Sequence, residues 1–150
     1  MDNSQVIDVL NDLIETSKDG EYGFTTCAER ATSAELKQTF TRRGADCATG
    51  AKELQALVAQ HGGKAERSGT VAGAVHRGWV SVKNALSGTS DQAILDECER
   101  GEDVALGRYR KAMKQDLPPA VRQVVERQMA GVQANHDQIR DLRDAMRARG

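Results

Sequence analysis

The sequence is poor in the residues that build sheets and break helices. Its 150 residues include one tryptophan, two tyrosines, two phenylalanines and two prolines. Aromatic side chains favour strands and proline interrupts helices, so their scarcity argues for a helical chain. An excess of charge is missing too. The 21 basic and 22 acidic residues leave a formal net charge of −1. That balance, without a basic stripe interleaved with aromatics, excludes nucleic acid and an anionic membrane surface as expected partners. No apolar run approaches the ~18 residues of a membrane span. The opening Met1-Asp2-Asn3-Ser4-Gln5 lacks the basic and apolar regions of a signal peptide, so a cytoplasmic location is expected. The three cysteines, Cys27, Cys47 and Cys98, are odd in number and far apart. They suit neither a disulfide framework nor a close-spaced metal site, and are expected to be reduced, buried core residues. No glycine-rich phosphate loop, nucleophile elbow or Cys-His arrangement is present, so the chain is not expected to be an enzyme.

What remains is a chain of alternating helical stripes and stop signals. With 39% hydrophobic and 29% charged residues, a mass of 16.3 kDa and a mean hydropathy of −0.58, residues 1–150 suit one domain with a real core. The first helix is expected to start after Asn3 or Ser4 and run to about Ala31. Ser33 caps a second helix whose stripe is Leu36, Phe40, Cys47, Ala51, Leu54 and Val58, ended by His61-Gly62-Gly63. Lys64 to Gly69 reads as an exposed loop, and Thr70 to Leu86 as a shorter helix carrying Val71, Val75, Trp79, Val82 and Leu86. Ser87 to Asp91 breaks that helix and caps a third long one, with Ile94, Leu95, Cys98, Glu102, Leu106, Tyr109 and Met113 on one face. Asp116-Leu117-Pro118-Pro119 then opens a fourth, with Val121, Val125, Met129, Val132, His136, Ile139, Leu142 and Met146.

Short links make antiparallel hairpins, whereas the long link between the second and third helices can cross the length of the bundle. The expected fold is therefore all-α, a ferritin-like four-helix bundle with a long crossover carrying an extra short helix. One residue stands out on the seam of the first helix. Steps of three and four give Ile7, Leu10, Ile14, Ser17, Glu21, Phe24 and Ala28, which places Glu21 where a hydrophobic side chain belongs. A second carboxylate, Glu102, lies on the seam of the third helix. Buried carboxylates are costly unless protonated, paired or metal-bound.

Five segments carry a family resemblance that runs from end to end. They are Leu10-Asn11-Asp12-Leu13-Ile14-Glu15, Lys18-Asp19-Gly20-Glu21, Gly73-Ala74-Val75-His76-Arg77-Gly78-Trp79, Glu97-Cys98-Glu99-Arg100-Gly101-Glu102-Asp103 and Asn135-His136-Asp137. The chain resembles a bacterial family of ferritin-like four-helix-bundle proteins of unknown function. The resemblance implies the fold and leaves the chemistry open. Ferritin-like di-metal proteins take one Glu from each of two helices and a Glu-x-x-His pair from each of the other two. Glu21 and Glu102 match the single positions. The paired positions fall on Asp46-x-x-Thr49 and Gln133-x-x-His136, each of which departs from the motif. The candidate metal ligands are thus Glu21, Asp46, Glu102 and His136, for iron or manganese.

Two functional readings follow. In one, Arg43, on the second seam between Phe40 and Cys47, bridges the buried carboxylates without a metal. The protein is then a non-catalytic, stress-associated bundle and a homo-oligomer that works through its surface. In the other it is a metal protein with a degenerate di-metal site. His76 and Trp79 on the crossover are expected to pack on the bundle, or else to form a subunit contact. A thiol or peroxide responder is a third and weaker idea, since all three cysteines are expected to be buried.

Overall fold

The structure, a computed structural model, describes residues 1–64, 79 and 90–149. Four helices follow in order: α1 (Asn3–Arg30), α2 (Ala34–Gln60), α3 (Asp91–Met113) and α4 (Pro119–Arg149). The expected crossover loop at 64–69, the helix at 70–86 and His76 lie outside the described residues, except for Lys64 and Trp79.

Local signals set the helix ends. Asp2, not Asn3 or Ser4, caps α1. Its Oδ1 accepts from the Gln5 amide at 2.9 Å, and Gln5 Oε1 accepts from the Asp2 amide at 2.9 Å. This reciprocal pair satisfies two groups at once, which a cap at Asn3 or Ser4 would not do with Gln5. Ser33 caps α2 and Ser90 caps α3, each hydroxyl accepting from an amide three residues on at 3.3 Å. At the end of α2, Gly62 takes a φ of +79°, and the Gly63 amide donates back to the Val58 carbonyl at 3.0 Å. Glycine adopts that left-handed conformation without steric cost, which is why the helix stops there. The turn between α1 and α2 is tied to α3 by Asp91. Its carboxylate accepts from the Thr32 amide and hydroxyl, both at 2.9 Å, and from the Ser33 amide at 3.0 Å.

The core has two apolar halves. One holds Leu10, Leu13 and Ile14 of α1 with Leu54 and Val58 of α2, Leu106 of α3 and Val125 of α4. The other holds Phe24 and Cys27 of α1 with Phe40 of α2, Ile94 and Cys98 of α3 and Ile139 of α4. The N-terminal parts of α2 and α3 therefore share one end of the bundle. The C-terminus of α2 lies at the opposite end from the start of α3, so α2 and α3 run parallel. At 1.5 Å per residue, the 27 residues of α2 span about 40 Å.

Trp79 is the one described residue in the middle of the crossover, and it is buried. Its indole meets the Phe24 ring edge-on, with centroids 5.0 Å apart and planes at 73°. It lies over Gly23 of α1 and Gly101 of α3, and a methyl group added at Gly101 would come within 2.5 Å of Trp79 Cζ2. The expectation that this Trp packs on the bundle holds. A test follows from the contrast with Gly107, exposed on the same helix with open space beside it. Gly101→Ala should lower stability by about 1–3 kcal/mol through overpacking against the indole. Gly107→Ala should raise it by up to about 1 kcal/mol through helix propensity. Urea denaturation of the two variants checks both signs, and a gain in both would show that the indole does not fill the space beside Gly101.

Candidate functional site

Between the two apolar halves lies a polar layer. Arg43 of α2, Glu102 of α3 and Asn135 of α4 all point into the bundle, and Glu102 is only 2% exposed. Arg43 Nη2 donates to Glu102 Oε1 at 3.5 Å, and Asn135 Nδ2 donates to Glu102 Oε2 at 3.1 Å. Both carboxylate oxygens are thereby used. The guanidinium also lies over the Phe24 ring, 5.8 Å from its centroid, while Arg43 Nε is buried without a hydrogen-bond partner. Burial pushes the Glu102 carboxyl above its ordinary value of 4.5, against the pull of Arg43 and Asn135. Burial also works to lower the Arg43 pKa, but Cys47, Glu102 and other neighbours outweigh it and the net shift is upward. Attraction within the pair thus offsets only part of what burial costs the Glu102 carboxylate.

A cleft of about 270 Å³ opens beside this layer, lined by Arg43, Asp46 and Cys47 of α2, Glu102 and Tyr109 of α3, and Gln128 of α4 among others. A chain of hydrogen bonds crosses it. Tyr109 donates to Gln128 Oε1 at 2.8 Å, and Gln128 Nε2 donates to Glu53 Oε1 at 2.8 Å and to the Gly50 carbonyl at 3.2 Å. Arg127 closes the chain with an ion pair to Glu53. Burial pushes the Tyr109 hydroxyl and the Cys47 thiol each up to about 12, so both are neutral at physiological pH.

Of the residues singled out from the sequence, Asp46 and Glu102 line one cleft, whose lining includes neither Glu21 nor His136. Glu102 is in the core as expected. The expectation of a core Glu21 is corrected: its side chain is 39% exposed, with Lys18 Nζ 3.8 Å from Oε1. The buried seam of α1 keeps Leu10, Ile14, Ser17 and Phe24 as expected, but passes through Gly20 and Cys27 in place of Glu21 and Ala28. The physical reason is the approach of α2. A methyl group at Gly20 would meet Cys47 Sγ at 2.8 Å, so a residue without a side chain has to face α2 there and Glu21 turns aside. Asp46 and Thr49 are exposed, and both line the cleft. His136 is half-buried, and its Nε2 faces Asp103 Oδ1 at 2.5 Å. Asn135 takes the inward place on α4 that His136 was expected to fill. The signal for it was present, since Val132, Asn135 and Ile139 follow steps of three and four. Among the described residues, no group of three or more His, Cys, Asp or Glu side chains is arranged to hold a metal ion. With a guanidinium against Glu102 and an amide on its other oxygen, these residues do not fit a ferritin-type di-metal centre.

The fold is that of a ferritin-like four-helix bundle, and comparison supports that class. A solved structure of a Mycobacterium smegmatis Dps1 mutant superposes with a TM-score of 0.76. It is 13% identical, and the match covers 94% of this chain and 96% of that one. The chain belongs to the family described as Domain of unknown function (DUF2383), which matches residues 5–115. That span includes Arg43 and Glu102 but ends before α4 and Asn135. The sequence matches no curated protein.

The pair predicts a pH signature. Arg43→Met would leave Glu102 buried without its counter-charge, at a cost of about 3–5 kcal/mol near neutral pH. With its pKa raised in the folded state, Glu102 binds a proton more tightly folded than unfolded. Its penalty is therefore absent below the unfolded value and grows as pH rises through the folded one. The deficit of Arg43→Met should accordingly shrink on acidification towards pH 5, and Arg43→Met with Glu102→Gln should recover most of it at pH 7. Denaturant titrations at both pH values check this. A deficit independent of pH would show that Glu102 is not the group left uncompensated.

Proposed function

We propose that this protein is a non-catalytic member of the ferritin-like class, a stress-associated cytoplasmic bundle of one domain that self-associates and works through its surface. The observation that carries the non-metal part is the Arg43–Glu102 pair: a fixed cation lies where a metal-binding bundle would need open carboxylate oxygens. The surface part draws on the rest of the polar chemistry. The cleft side chains are hydrogen-bonded among themselves and His136 is paired with Asp103, with no nucleophile–base arrangement among the described residues. Met1 is the one large hydrophobic residue exposed among the described residues, so subunit contacts there would be polar. Among the same residues, no helix is long and apolar enough to cross a membrane. Self-association through polar contacts should weaken as salt screens them. Light scattering at low and high ionic strength should show the assembly dissociating at high salt, and a monomer under both conditions would remove the homo-oligomer.

The second reading is a degenerate site for iron or manganese built on Glu102 and Asp46, with Glu21 and His136 as further donors. It draws on one observation, that Asp46 and Glu102 line the same cleft. Protein purified without chelator, incubated with ferrous iron or manganese and then desalted, separates the two by elemental analysis. The favoured reading expects less than a tenth of an equivalent retained, on the order of background. Stoichiometric metal that is lost in both Glu102→Ala and Asp46→Ala would establish the metal site instead.

A further inference from the structure

Cys27 of α1 and Cys98 of α3 meet in the apolar half of the core next to the polar layer. Their Sγ atoms are 3.2 Å apart across 71 residues of chain, and both side chains are fully buried. The third thiol is kept away from them. Cys47 faces the seam at Gly20 and lines the cleft beside Arg43. A disulfide needs its sulfurs about 2.05 Å apart, so closure asks for an approach of roughly 1.2 Å. Small changes at χ1 and a slight shift of one helix supply that.

We propose that Cys27 and Cys98 form a reversible redox pair, in which exchange with a low-molecular-weight disulfide links α1 to α3 and leaves Cys47 as a thiol. In the first exchange, the thiolate of one cysteine attacks oxidised glutathione. A mixed disulfide forms and one glutathione thiolate leaves. In the second, the thiolate of the other cysteine attacks the protein sulfur of that mixed disulfide and expels a second glutathione thiolate. Two protein thiols are oxidised, one small disulfide is reduced, and the two protons from the protein end on the two glutathione thiols. Neither sulfur is open to a reagent in the closed bundle, and burial together with contact from Cys27 holds the Cys98 thiol protonated there. The bridge therefore closes during folding or on local opening of the helices, not by attack on the closed surface.

Closure would act at the most tightly keyed part of the α1–α3 seam. Gly23 and Gly101, which hold the Trp79 indole, lie one turn from Cys27 and Cys98 respectively. Glu102 is the next residue after Gly101. A covalent tie across α1 and α3 would restrain the same seam and restrict the unfolded chain over a long loop.

Refolding tests the pair without waiting for the closed core to open. Reduced protein is unfolded in urea and diluted into buffer with oxidised and reduced glutathione. Free thiols are then alkylated in acid and the peptides mapped by mass spectrometry. A Cys27–Cys98 bridge should dominate, with Cys47 recovered alkylated. The oxidised protein should melt higher, by on the order of 10 °C, and lose that gain with dithiothreitol. Cys47→Ser should behave like the native chain, and Cys98→Ser should show no oxidation-dependent gain. The native-chain comparison stands even if Cys98→Ser folds poorly. Glutathione adducts without an internal bridge, bridges to Cys47 as frequent as Cys27–Cys98, or an oxidised form that melts lower would each overturn the proposal.

Discussion

A buried charge pair between two apolar halves is the constraint on which the bundle's register depends. Hydrophobic packing alone is tolerant, because helices with similar stripes can slide past one another and still bury leucine against valine. Arg43 and Glu102 remove that freedom. A slide of one turn between α2 and α3 would bring the guanidinium against hydrocarbon and leave the carboxylate unpaired, each costing several kcal/mol. Asn135 extends the constraint to α4, and the Ser17–Tyr109 contact at 3.5 Å extends it to α1. All four helices are thereby indexed to one layer. The pair is a poor source of net stability, since each ion loses its hydration, but it is a strong penalty on the wrong arrangement.

Much of the fold was legible in the chain. Periodicity gave four long helices, Ser33 and the segment from Ser87 to Asp91 gave two caps, and His61-Gly62-Gly63 gave a stop, all through chemistry local to a few residues. The site was less legible because it depends on helix phase. At 100° per residue, two neighbouring positions can both claim the edge of a wide apolar stripe, and the sequence does not say which one the partner helix selects. On α1 the choice fell on Gly20 over Glu21, since Cys47 approaches too closely for a side chain. A glycine gives no hydrophobic signal, so the seam passed through a residue that a hydropathy pattern cannot mark. On α4 the choice fell on Asn135 over His136. Asn135 completes Glu102, while His136 finds Asp103 at the surface.

The same reasoning explains why the fold carries so little of the function. A ferritin-like bundle supplies inward-facing positions at fixed heights on its helices, and chemistry follows from what occupies them. Here the central carboxylate of α3 is present, but the position facing it from α2 is a guanidinium. A likeness at 13% identity transmits the backbone path and nothing about those occupants. The family assignment, which ends before α4, likewise leaves out the helix that completes the hydrogen bonding of Glu102.

The α1–α3 seam gathers the unusual chemistry of the chain for a packing reason. Small residues on both helices, Gly23 on one and Gly101 on the other, leave room that ordinary side chains would have closed. Part of that room is filled by the Trp79 indole, which also lines the cleft. Thiols suit the neighbouring positions because they are small enough for two of them to meet face to face in the core. One spacing between helices therefore accounts for the buried indole, the paired sulfurs and the polar cleft together. A change in that spacing would be felt at Glu102, whose charged state depends on how closely Arg43 and Asn135 are held against it.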